Sequence, residues 1–154
     1  MRLSPQAQGD AVVTLSRPGV LRPLHPVHAI LLAFPLPLFA GALISDFAYW
    51  ATFHIQWANF SSWLIAGGLV GGGFAMLWAL INLFRRGPAH KGRMIVYFVV
   101  LLVMWGLGFV NALVHAKDAW ATMPEGLYLS AITTLLAVVA AWIGYSGFHA
   151  GEVR

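Results

Sequence analysis

From Pro26 to Tyr49 the chain runs for 24 residues with a single charged side chain, Asp46. About 20 consecutive apolar residues are enough to cross the hydrocarbon of a bilayer as a helix. Three more such runs follow, near 61–84, 94–115 and 127–148, and none of them contains Asp, Glu, Lys or Arg. Of the whole sequence 60% is hydrophobic and only 9% charged. A water-soluble fold could not hide that much apolar surface, whereas bilayer spans can leave it facing lipid. In lipid every backbone polar group must be satisfied within the protein, which long apolar runs achieve as helices. The expected fold is all-α: a polytopic membrane protein, a bundle of four transmembrane helices with a kinked first helix.

The kink is expected from Pro35 and Pro37, which remove two backbone donors from the middle of the first span. In a bundle, neighbouring helices can satisfy the freed carbonyls. At 3.6 residues per turn, His28, Pro35, Phe39, Ala42 and Asp46 share one face. Asp46 on that face either has a partner inside the bundle or sits at headgroup level in water. An acid inside a span is costly and points to a functional site. Asn111 and His115, four residues apart on the third span, are its candidate buried polar partners.

The start of the first span is tailored. Pro26 keeps His25 outside the helix and itself suits the first helical position. His28 then falls in the first turn, where the helix dipole favours the neutral imidazole that binds metals and haem iron. Both histidines can equally be interfacial residues touching headgroups. On the fourth span Trp142, Tyr145 and His149 recur on one side, so His149 returns to the membrane face of His25 and His28. These three residues are the candidate ligands for haem b. His54 and His115, towards the other face, form a second candidate pair. With no cysteine in the chain, c-type haem attachment, thiolate clusters and thiol nucleophiles are excluded. Histidines spread over both faces do not make a closed zinc site.

HPVHAILLAFPLPLFAGALISDF resembles the opening signature of a bacterial membrane-protein family, domain of unknown function 2231: a His-Pro-x-His start, a Phe-Pro in the span and an Asp at its far end. FVNALVHAKDAW, followed by a Pro-x-Gly-Leu and a last span, resembles it too. The likeness runs over nearly the whole chain from Pro23. The family commonly ends in a Gly-Gly-Glu-containing motif followed by His-Gly; here WIGYSGFHAGEVR keeps only Gly144 and His149 of it. The resemblance implies a bacterial inner-membrane protein with redox company, since some members are fused to cytochrome c or Rieske-like domains. It implies no activity.

The rest of the chain sets packing and topology. Gly67, Gly68, Gly71 and Gly72 give the second span two overlapping small-xxx-small pairs, where another backbone can approach closely. The partner is either the kinked first helix or the same helix of a second copy, which would make a homodimer. Residues 50–60 carry aromatic and polar side chains without Lys or Arg. They read as a loop at the interfacial belt or as a short helix lying on the bilayer; a quinone headgroup site there is a further reading. Arg85, Arg86, Lys91 and Arg93 place four of the nine basic residues in one short loop. The positive-inside rule puts that loop, the leader 1–22 and the C-terminus in the cytoplasm, with residues 23–154 as the membrane domain. The first apolar run is too long for a signal peptide and reads as a retained span. The net charge of +4 has no interleaved aromatics to suggest nucleic acid.

No HExxH, GxSxG or paired-carboxylate arrangement is present, so no catalytic residue and no metal ligand set is assigned. Three functional readings remain. One is a small b-type haem or quinone-linked electron-transfer protein with a redox partner. The second is a structural or accessory membrane subunit. The third is a small proton-coupled transport or sensing protein.

Overall fold

The computed structural model describes residues 26–85, 91–117 and 121–146. Its elements are five helices: α1 (Pro26–Ala33), α2 (Pro35–Thr52), α3 (Ile55–Arg85), α4 (Lys91–His115) and α5 (Glu125–Ser146). Helices α1 and α2 together form one span, Pro26–Thr52, so among the described residues there are four helices long and apolar enough to cross a membrane. His25, His90, Asp118 and His149 lie outside the described residues.

The break between α1 and α2 falls at Phe34, whose own angles stay helical at φ −69° and ψ −48°. Pro35 and Pro37 cannot donate to the carbonyls of Leu31 and Ala33, which interrupts the hydrogen-bond ladder there. The span bends by only 9°. Packing against α3 explains this: a Cβ on Gly71 would stand 2.7 Å from the Cβ of Phe34, so the two backbones are pressed together at the weakened turn.

Residues 50–60 differ from the expected loop. They are helical except for Phe53 and His54. Phe53 turns the chain in a left-handed conformation, φ 55°, and its N–H donates to the Tyr49 carbonyl at 2.7 Å. The Thr52 hydroxyl donates to the Ala48 carbonyl at 2.6 Å and accepts from the His54 N–H at 3.4 Å. Three local bonds thus close a two-residue connection. The aromatic residues that read as a loop are carried instead on the helix ends, where Trp50, Trp57 and Phe60 are exposed.

The helices form a ring in which α2 packs on α3 and α5, and α4 packs on α3 and α5. Helix α1 lies against α3 and α5. The core holds Phe39, Ala42, Ile65, Ala79, Leu101, Met104, Ala137 and Ala140. Small residues in it let the backbones approach closely. Phe39 is seated between Gly68 of α3 and Gly108 of α4, where an added Cβ would lie 2.9 and 3.1 Å from its ring. Gly67 meets Leu38, and Gly72 meets Met104 and Pro35, so the glycine stripe packs within this chain. Phe47, Trp63, Val70, Phe74, Leu135 and Trp142 point outwards and are exposed. A belt of exposed large apolar side chains around the bundle is the surface that lipid tails cover.

Candidate functional site

The inward stripe of the first span is His28, Leu32, Pro35, Phe39, Ala42, Ser45, Asp46 and Tyr49, all buried. Asp46 is the charged member, and three helices other than its own supply the polar groups around it. Its Oδ1 lies 2.9 Å from Nε2 of His115, at the end of α4, with the two side chains 0% and 1% exposed. Its Oδ2 accepts from the hydroxyl of Ser130 on α5 at 2.5 Å. Ser130 accepts in turn from Nδ2 of Asn111 at 2.9 Å. Ser61 of α3 donates to the Ala42 carbonyl at 3.3 Å, and its oxygen lies 3.3 Å from His115 Nε2.

The hydrogen-bond roles limit where the protons can sit. His115 Nδ1 faces the Asn111 carbonyl at 3.0 Å, an acceptor that requires N–H at Nδ1. Nε2 faces the Asp46 carboxyl and a serine whose own hydrogen goes to Ala42. An N–H at Nε2 satisfies both. One proton lies between Asp46 Oδ1 and His115 Nε2: an N–H facing a carboxylate and an O–H facing a neutral imidazole both fit the 2.9 Å contact. Such a buried pair offsets its desolvation only where further bonds hold both partners, and here Ser130, Ser61 and the Asn111 carbonyl do so. Asn111 Oδ1 is buried with no hydrogen-bond partner among the described residues.

Depth along the helices places this centre near one end of the bundle. Asp46 lies six residues from the end of α2 and Ser61 six from the start of α3, about 9 Å at 1.5 Å per residue. Glycine 126, at the start of α5, covers the histidine: a Cβ there would stand 2.8 Å from His115 Cε1 and 2.9 Å from Thr122 Cγ2.

The other candidate residues are placed differently. His28 is buried near the opposite end, stacked on Trp78 at 6.0 Å and edge-on to Tyr97 at 6.2 Å, with its Nε2 3.5 Å from the Tyr97 hydroxyl. His25 and His149, its expected companions, are outside the described residues. His54 is exposed on the turn after α2. It makes no hydrogen bond to His115, whose two ring nitrogens are both engaged as above. Among the described residues no cluster of three or more His, Cys, Asp or Glu could hold a metal ion. The sequence reading passed over Ser61, Ser130, Trp78 and Tyr97. Lone hydroxyls inside apolar runs, as in YLSAITTLL, were the available signal for the serines.

A family model described as predicted membrane protein (DUF2231) matches residues 24–149. The chain belongs to this family. No curated protein and no solved structure matches it. The matched segment holds every residue of the polar centre, from Asp46 to Ser130.

Proposed function

We propose that this integral membrane protein is a small proton-responsive subunit, with the Asp46–His115 centre as its proton-binding element. The observation that carries the reading is an ionisable pair sealed inside a membrane bundle and bonded to all four spans. Ionisable residues inside membrane spans are costly, and proton relays are among the functions they serve.

The network can hold an added proton without losing a bond. In the present arrangement Asn111 donates to Ser130 and Ser130 donates to Asp46. With the proton on Asp46, its O–H donates to Ser130. The serine hydroxyl then turns to Asn111, whose amide rotates to present the unpartnered Oδ1. Both arrangements contain two hydrogen bonds along this path. They differ in charge by the added proton, which leaves the Asp46–His115 contact with an uncompensated charge and loosens the packing of α2 on α4. Removing the proton that the two residues share has the same mechanical result.

Infrared difference spectra of the protein in lipid should show a protonated carboxyl band that rises on acidification and is missing in Asp46→Asn. Ser130→Ala and Asn111→Leu should each alter that band. A carboxyl signal that never changes with pH would overturn the reading. The haem reading is decided by an absorption spectrum of protein expressed with ample haem. A Soret band lost in His28→Ala would replace the present reading, and would require the His28 ring to leave its contacts with Tyr97 and Trp78.

A further inference from the structure

We infer that the Asp46–His115 centre exchanges protons with only one face of the membrane, that of the α4–α5 connection, and that Phe39 seals it from the other. The inference rests on the proton-responsive reading above and adds its direction.

Proton transfer needs donors and acceptors within hydrogen-bonding distance of each other, about 2.5–3.2 Å. Towards the basic end, among the described residues, the chain of such groups stops at the centre. The buried hydroxyls on that side turn back on their own helices. Ser45 donates to the Gly41 carbonyl at 2.8 Å, and Thr133 to the carbonyls of Leu129 and Ser130 at 2.8 and 3.1 Å. Beyond them the buried side chains are apolar: Ala42, Phe39, Ile65, Leu101, Met104, Ala137 and Ala140. The next buried polar side chain on the first span is His28, 18 residues before Asp46, or about 27 Å along the helix. Phe39, 1% exposed, fills the core at this level, with its ring against Gly68 and Gly108.

The opposite face is close. His115 ends α4, and Gly126 in the first turn of α5 lies against its ring. A displacement of the start of α5 would expose Nε2 and the carboxylate. The other described ionisable groups at this end are Tyr49 on α2, His54 after it, Lys117 after α4, and Glu125 and Tyr128 on α5. The pair itself is bonded to Ser61, Ser130 and the Asn111 carbonyl, and we take it as the acceptor for a proton arriving there.

The test uses full-length protein in lipid vesicles with all molecules in one orientation and the pH changed on one side at a time. The readout is the infrared carboxyl signal of Asp46, identified by its loss in Asp46→Asn. The wild type should respond to pH on the side of the α4–α5 connection and give no response from the basic side, until a proton ionophore equalises the two. Phe39→Asn, which makes the seal polar where an alanine cavity would stay dry, should gain the response from the basic side. A wild type that responds equally from both sides overturns the sidedness and leaves the proton-responsive reading standing. A signal that stays silent even with ionophore overturns both. A folded Phe39→Asn that remains one-sided overturns the role of Phe39. The wild-type comparison decides the sidedness by itself if that variant does not fold.

Discussion

Replacing Asp46 by Asn keeps the shape of the side chain and removes the charge that faces His115. Removing one partner of a buried pair costs about 3–5 kcal/mol. His115→Leu removes the other partner at a similar cost. The double variant Asp46→Asn/His115→Leu should be less destabilised than the sum of the two, because neither leaves a lone charge for the other to face. Unfolding of the four proteins in detergent measures the difference; additive losses would show that the two residues do not act as a pair. Ser130→Ala should cost about 1–3 kcal/mol, the range for leaving a buried partner unsatisfied, while Ser62→Ala should cost less because its hydroxyl donates to the Ala58 carbonyl on its own helix. At this scale the sequence placed Asp46 on an inward stripe by periodicity alone. It could not choose between interior and headgroup, because the answer depends on whether α4 and α5 bring His115 and Ser130 to within bonding distance. Those residues are 69 and 84 positions away in the chain.

Helices α2, α3 and α4 meet at Phe39, and the fit there has no slack. Gly68→Ala would place a methyl 2.9 Å from the ring, and Gly108→Ala one 3.1 Å from it. Overpacking of this kind costs about 1–3 kcal/mol. Adding Phe39→Leu to Gly68→Ala should recover part of the loss. Gly106→Ala, with nothing within 4 Å of the new methyl, should be neutral. The losses should not depend on protein concentration, since the glycines face their own chain; a concentration-dependent loss would point to the stripe joining two copies. Helix boundaries were legible where composition changes sharply, as at Arg85. They were not legible over 50–60, where belt aromatics and polar residues resemble a loop. The turn there depends on the backbone angles of Phe53 and the Thr52 hydroxyl, which hydropathy does not register. The prolines announced the interruption at Phe34, but its size is set by contact with α3.

The four spans were legible because bilayer thickness demands a length of apolar chain that little else in a protein requires. Orientation rests on charge. Arg2, Arg17 and Arg22 precede the first span, Arg85, Arg86, Lys91 and Arg93 flank the central connection, and Arg154 follows the last span. Only Lys117 belongs to the other side. With the positive-inside bias, reporter fusions at Gln56 and Pro88 should give opposite answers, periplasmic and cytoplasmic in that order. Periplasmic activity at Pro88 would invert the molecule, and with it the face from which the polar centre is proposed to take its protons.

The two-residue turn after α2 has a consequence for biosynthesis. Between Arg22 and Arg85 the chain has no Lys or Arg, so the first two spans can enter the bilayer as a tight hairpin without carrying a cation across. Asp46 travels in that hairpin, while His115 is made 69 residues later. The partners of the acid on α4 and α5 thus belong to a second hairpin, made after the first. Its bonds close only when the second hairpin arrives. A quality-control protease or chaperone that reads buried charge would thus see an open carboxyl on every half-built molecule and a sealed one on every finished bundle.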